Sequence, residues 1–166
     1  YSISDPVIYW DDKVPNLIDQ KGLASYIEEL KSKEIGLVVI DTFAYSIAGA
    51  EENSSKEMGL AVESIKLLSD SIDGTVLIVH HTGKNADRGA RGSSVINAAT
   101  DSEFKIESDE SEIEMASTKQ RHCEKAPPMF LKSEVVPVGS ATTRVIKKSA
   151  ASPFKRGITV CVASRL

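Results

Sequence analysis

Long apolar runs, cysteines and aromatic side chains are all scarce in this chain of 166 residues. No apolar run approaches the roughly 20 residues that a membrane-spanning helix needs, and the first residues do not have the pattern of a secretory leader. Only two cysteines are present, Cys123 and Cys161, and neither belongs to a CxxC pair. A disulfide framework is therefore not indicated. We expect a cytoplasmic protein that does not contact a membrane.

Acidic residues are missing after Glu134, although the whole chain carries a net charge of −4. That net charge argues against a protein dedicated to coating nucleic acid. The basic end could contact phosphates or an acidic neighbouring subunit, whereas a solvated tail is the simpler interpretation. Its bases are Arg144, Lys147, Lys148, Lys155, Arg156 and Arg165.

The first two thirds of the chain alternate between helical and strand patterns. Apolar residues recur at helical spacing over residues 17–33, and again after a cap at Ser54 or Ser55. Two apolar runs, Leu37–Ile40 and Thr75–Val79, are typical of strands covered by helices on both faces. A further short helix is predicted from Ser93 or Ser94, after a loop over residues 82–92. This order predicts an α/β fold with a mainly parallel central sheet.

The last third of the chain has the alternating pattern of antiparallel strands. Residues 102–107 and 112–117 predict a hairpin, and residues 129–131, 134–136 and 157–163 predict further strands. We therefore expect one partial domain over residues 1–166. Its parallel part would span residues 1–107, and an antiparallel extension at the C-terminal end would span residues 108–166.

The first predicted strand ends in a carboxylate, Asp41, which precedes Thr42. Ligands of open α/β sheets bind beyond the carboxyl ends of the strands. A carboxylate at that position can hold the Mg²⁺ of a nucleotide, directly or through water. Since apolar strands also end in Asp for turn chemistry, this feature alone leaves both interpretations open.

The second predicted strand ends in two histidines, His80 and His81. An imidazole at this edge could contact a γ-phosphate or its attacking water, and could move when the phosphate leaves. Adjacent strand residues point to opposite faces, so the two rings are poorly placed to share one metal ion. A polar strand end without a catalytic role remains the alternative.

An arginine lies between glycines in the stretch from Arg88 to Ser94, just before the predicted helix. The planar guanidinium of Arg91 can bind phosphate oxygens through two parallel hydrogen bonds. Supplied from a neighbouring subunit, it would act as an arginine finger. Contact with a DNA backbone and a merely solvated loop are the competing interpretations.

Together these motifs resemble the later motifs of the RecA-like ATPases in hexameric replicative helicases of plasmids and phages, including helicase-primases. The resemblance covers about residues 17–125, and its specific part is His80–Lys84 followed by Arg91–Ser94. It implies a partial RecA-like P-loop NTPase core that belongs to an NTP-driven DNA helicase. ATP and Mg²⁺ would be the cofactors, single-stranded DNA a partner, and a homo-oligomer, a hexameric ring in the intact protein, the assembly.

The resemblance also implies roles for individual residues. Asp41 would be the Walker B carboxylate on the metal side, and His81 (or His80) the γ-phosphate sensor. Residues 45–55 and 83–89 would form the two DNA-facing loops, the second with Lys84 and Arg88. Lys119 and Arg121 would face the nucleotide of the next subunit, which makes them rivals of Arg91 for the finger role.

The first half of that family's core is missing from the sequence. The only Gly-Lys pair, Gly83-Lys84, lacks the earlier glycine of a phosphate-binding loop, and Asn85 stands where Ser or Thr would hold the metal. No strand-ending glutamate precedes Asp41 in the expected place. We therefore expect the isolated chain to bind ATP poorly and to hydrolyse none.

Three explanations stay open: a fragment of a longer ATPase, a natural non-catalytic relative, or an unrelated α/β domain. Two other functions compete with the helicase. One is a recombinase or recombination-mediator ATPase, and the other is a non-catalytic DNA-binding or assembly module.

Overall fold

The structure is a computed structural model, and it describes residues 8–9, 11, 15–51, 54–81, 91–109, 111–138, 141–148 and 157–164. The helices are α1 (Gln20–Ser32), α2 (Phe43–Ser46), α3 (Ser55–Ile72) and α4 (Arg91–Ala99). The strands are β1 (Leu37–Asp41), β2 (Thr75–His81), β3 (Ser102–Asp109), β4 (Glu112–Gln120), β5 (Met129–Val138), β6 (Ala141–Lys148) and β7 (Gly157–Ser164). This arrangement confirms a mixed α/β fold.

Local capping explains where the two longer helices begin. The side chain of Asp19 accepts a hydrogen bond from the backbone of Lys21 at the start of α1. Ser54, one of the two predicted caps, accepts from the backbone of Glu57 at the start of α3. Both side chains satisfy amide donors that have no partner within the helix.

The seven strands form one mixed sheet in the order β1-β2-β7-β3-β4-β5-β6. Strands β1 and β2 pair in parallel, while β7 pairs antiparallel with β2 on one side and with β3 on the other. Strand β3 therefore runs in the same direction as β1 and β2. The predicted antiparallel strands exist, but β7 lies between parallel strands instead of extending the sheet at its end.

The apolar core lies on one face of the sheet. Helix α3 packs on β2 and β7, and both α1 and α4 pack against α3. The buried strand residues Val38, Ile40, Val76 and Ile78 all face this layer.

The prediction that helices cover β1 on both faces is wrong for the described residues. Leu37 and Val39 are 54% and 56% exposed, because no described helix packs on their side of the sheet.

Other differences from the expected elements are local. The predicted loop after Asp41 contains α2, and α4 begins at Arg91, two or three residues before its predicted start at Ser93 or Ser94. Residues 141–148, which include three of the bases assigned to a tail, form strand β6. In the described part of the chain, no helix is both long and apolar enough to cross a bilayer.

Candidate nucleotide site

Strands β1 and β2 end at the same edge of the sheet, and two polar side chains project there from one face. The backbone pairing places Asp41 beside Val79, and His81 follows Val79 by two residues. Side chains two residues apart on a strand share a face, so Asp41 and His81 both lie on the face against which no described helix packs. Strand spacing and rise put their Cα atoms about 8 Å apart.

His80 lies on the opposite, helical face. Its ring contacts Phe43 edge-on, with ring centroids 5.8 Å apart and an interplanar angle of 86°. Phe43 is only 1% exposed, so this contact belongs to the packing between α2 and the end of β2. The geometry therefore favours His81 over His80 as the partner of Asp41.

The donor set at this edge suits a magnesium-bound nucleotide. The Asp41 side chain is exposed, and Mg²⁺ typically takes one or two protein carboxylates together with water and substrate phosphates. Thr42 precedes α2 without making a side-chain capping hydrogen bond. Its hydroxyl is therefore not committed to the helix and is a second candidate contact for metal-bound water. The peptide bond between Asp41 and Thr42 is cis.

Helix α2 anchors the chain directly after Asp41. Phe43 and Ser46 are buried, and the Ser46 hydroxyl donates to the carbonyl of Phe43 at 2.7 Å. The backbone carbonyl of Ser46 also accepts from the amide of Leu17 at 2.7 Å. The remaining aromatic of α2, Tyr45, is 73% exposed. One sequence signal pointed to this anchor, because Phe43 is a single large apolar residue close to Asp41.

Arg91 is the first residue of α4, which packs against α3 on the helical side of the sheet. The structure describes its backbone but not its side chain. Lys84 and Arg88 lie outside the described residues. Convergence of Arg91 with Asp41 and His81 therefore stays a prediction.

Lys119 and Arg121 contact the C-terminal end of α4 within the same chain. The Lys119 ammonium donates to the carbonyls of Asn97 and Ala98. Arg121 donates to the Ala98 carbonyl at 3.0 Å and to the carboxylate of Asp101 at 2.8 Å. Cations at this position are favoured by the partial negative charge of the helix C-terminus.

These two cations lie far from the edge that carries Asp41 and His81. Lys119 pairs with Glu103, which the register through β7 places level with Ile78 in the middle of β2, and three strand spacings, about 14 Å, separate β4 from β2. They also lie at the opposite end of α4 from Arg91, about 12 Å along the helix axis. Action of Lys119 and Arg121 on a nucleotide of another subunit stays a prediction, while their contacts with α4 are an observed structural role. Sequence reasoning missed this role because the partners are about 20 residues apart.

Comparison with known proteins identifies the family. The family described as "AAA domain" matches residues 4–87, which is just over half of the chain and includes α1, β1, α2, α3 and β2. The chain belongs to this family, which is an ATPase family of the P-loop type. The searches of curated proteins and of solved structures found no match to this chain.

Proposed function

We propose that this chain supplies the metal-side and phosphate-sensing part of an ATPase site in a RecA-like, NTP-driven DNA helicase. One observation carries this proposal. Asp41 and His81 project from the same face at the carboxyl ends of adjacent parallel strands, about 8 Å apart. Membership of an AAA-domain family supports the ATPase chemistry.

Each residue has a distinct role in this proposal. Bound Mg²⁺ would neutralise charge that develops on the phosphates during transfer. The Asp41 carboxylate orients that ion through direct or water-mediated contact. His81 hydrogen-bonds to the γ-phosphate or the attacking water, and loses this partner after hydrolysis. Because His81 directly precedes residues 82–90, a shift of its ring would be passed to that segment.

Two further parts of the site would come from other polypeptide segments. A glycine-rich phosphate-binding loop, which this sequence lacks, would surround the phosphates with backbone amides. Arg91 would reach the nucleotide of an adjacent subunit in a ring-shaped homo-oligomer, as an arginine finger. Such a finger contributes roughly 10³–10⁵ in rate.

Single-stranded DNA is the proposed second ligand. Lys84 and Arg88 would contact its phosphates, and the exposed ring of Tyr45 is suited to stacking on a base. Glu51, five residues after the end of α2, is exposed and would repel a DNA backbone. We therefore assign Tyr45 to base contact and not to phosphate contact.

The proposal is tested by ATP turnover in a longer protein that also carries the phosphate-binding loop. We expect Arg91→Ala to lower kcat by about 10³-fold or more with little change in nucleotide affinity. Asp41→Asn and His81→Ala should also lower kcat, whereas His122→Ala, at the far end of β4, should not. Normal turnover in Asp41→Asn would refute the proposed metal role, and normal turnover in Arg91→Ala would remove it from the finger role.

A DNA assay on the same protein separates the alternatives. ATP-dependent unwinding of a forked duplex is expected for the helicase. Strand exchange without unwinding would identify a recombinase-type ATPase. Salt-dependent binding of single strands with no turnover would identify a DNA-binding module.

A further inference from the structure

The C-terminal end of α4 is attached to the sheet by two basic side chains. The Lys119 ammonium donates to the carbonyls of Asn97 and Ala98, and the Arg121 guanidinium donates to the Ala98 carbonyl at 3.0 Å. Both carbonyls belong to the last turn of α4, and the last carbonyls of a helix have no donor within it. The two cations therefore satisfy the end of α4 and fix its position.

Acidic, amide and hydroxyl side chains complete this attachment. The Asn97 amide donates to the Glu103 carboxylate at 2.5 Å, and that carboxylate also accepts from the Thr118 hydroxyl at 2.6 Å. Asp101 binds Arg121 twice, through its carboxylate at 2.8 Å and through its backbone carbonyl, which accepts from the Arg121 amide at 2.9 Å. We call this group the α4 clamp; it consists of Asn97, Asp101, Glu103, Thr118, Lys119 and Arg121.

A β-bulge turns Lys119 toward α4. Glu103 pairs with Lys119, whereas the next residue, Phe104, pairs with Ser117, so that Thr118 is one extra residue in β4. Side chains alternate along a strand, and without this extra residue Lys119 would project from the face opposite α4. Bulges near functional sites often re-aim a side chain in this way. The contact between Lys119 and α4 therefore depends on an irregularity of β4.

The clamped helix begins at Arg91, the proposed arginine finger. Arg91 lies about 10 Å along the helix axis from Ala98. In the second half of α4, Ile96 is only 2% exposed and belongs to the apolar core. A tilt of about 6° at the clamped end would move the start of the helix by about 1 Å, and a misplacement of that size can lower an enzymatic rate about 10²-fold.

We propose that the α4 clamp positions Arg91 for contact with the nucleotide of the adjacent subunit. This inference rests on the proposed finger role of Arg91. It makes Lys119 and Arg121 positioning residues within their own chain. Their charges are already matched there, because Asp101, Glu103 and the partial negative charge of the helix C-terminus surround them.

Residual dipolar couplings of the backbone amides test the clamp in this chain, because they measure the direction of α4. We expect Lys119→Ala and Asn97→Ala to turn α4 relative to α3 by at least about 5°, which would shift Arg91 by about 1 Å. Lys105→Ala is the control, since Lys105 lies two residues from Glu103 on β3 and its described ion pair is with Glu107 at 2.8 Å. An α4 direction that is unchanged in Lys119→Ala and Asn97→Ala would overturn the proposal.

ATP turnover in the longer protein that carries a phosphate-binding loop separates positioning from direct contact. Asp101→Asn and Asn97→Ala are informative because neither residue has a positive charge to offer a phosphate. Positioning predicts that both changes lower kcat at least about 10-fold with little change in KM for ATP. Direct contact of Arg121 with a nucleotide predicts an equal or higher kcat in Asp101→Asn, because the guanidinium is released. Lys105→Ala should keep normal turnover.

The same changes in an Arg91→Ala background complete the test. If the clamp acts through Arg91, Asp101→Asn and Asn97→Ala should lower kcat no further once Arg91 is gone. Effects that multiply with that of Arg91→Ala, or clamp variants with normal turnover while Arg91→Ala is impaired, would overturn this inference and leave the finger role intact. Normal turnover in Arg91→Ala would refute the finger role and the positioning together.

Discussion

The contact between Arg121 and the end of α4 allows a quantitative prediction about stability. The Arg121 guanidinium bonds to Asp101 at 2.8 Å and to the Ala98 carbonyl at 3.0 Å. The Asp101 side chain is only 12% exposed, whereas that of Arg121 is 42% exposed. Arg121→Ala therefore removes the shortest ionic contact of a nearly buried carboxylate, together with a cation at a helix C-terminus.

The size of the effect follows from these contacts. A hydrogen bond to a charged group contributes roughly 1.5–3 kcal/mol, and the exposure of Arg121 reduces that figure. A cation at the helix C-terminus contributes about 0.3–1 kcal/mol more. We expect a loss of about 2 kcal/mol in the free energy of unfolding, which corresponds to a fall in Tm of roughly 4–8 °C for a domain of this size.

Urea and thermal unfolding at one fixed protein concentration measure this loss. Arg121→Lys keeps the charge but not the two-pronged geometry, so it should lose about half as much. Combining Arg121→Ala with Asp101→Asn should cost less than the sum of the single changes, because the two residues share one contact. A loss below about 0.5 kcal/mol in Arg121→Ala would show that the contacts of Arg121 with Asp101 and Ala98 do not stabilise the fold. Contact with the nucleotide of a neighbouring subunit would then be the better explanation for this arginine.

Three other perturbations test separate parts of the structure. Phe43→Ala should lower the free energy of unfolding by about 3–5 kcal/mol in chemical denaturation, because Phe43 is buried against the end of β2; a loss below 1 kcal/mol would contradict that packing. Burial, with smaller contributions from Asp11 and Glu29, raises the pKa of Tyr26. The unfolded chain therefore releases this proton first, and stability falls as pH rises above the ordinary tyrosine range; Tyr26→Phe should reduce that alkaline loss, and identical pH profiles would contradict it. Tyr45→Ala should weaken binding of single-stranded DNA by about 1–3 kcal/mol in fluorescence anisotropy while Tyr45→Phe keeps it, and equal binding by both variants would exclude stacking.

The local elements of the fold were predictable because short-range patterns determine them. Ser54 caps α3 as its position before an amphipathic run predicts, and the alternation around residues 108–111 gives the hairpin of β3 and β4. The apolar runs before Asp41 and His80 became the two adjacent parallel strands β1 and β2.

Long-range pairing was less accessible to sequence reasoning. The insertion of β7 between β2 and β3 joins segments about 50–90 residues apart, and no local pattern specifies that partner. The exposed face of β1 was also missed, since an apolar run does not show whether helices cover one or both faces of its strand. To choose between His80 and His81, one must know which of them projects from the same face of the sheet as Asp41. The pairing of β2 with β1 shows that this is His81.

The shared face of Asp41 and His81 is tested most directly by nuclear magnetic resonance of the histidine rings in the presence of Mn²⁺ and a non-hydrolysable ATP analogue. The chain has three histidines, His80, His81 and His122, so their ring signals can be assigned by substitution. Even weak binding at millimolar nucleotide should broaden the His81 signals first and leave those of His122 sharp. Asp41→Asn should abolish this selectivity. Equal broadening of His81 and His122, or selective broadening that persists in Asp41→Asn, would contradict a metal–nucleotide site at this edge of the sheet.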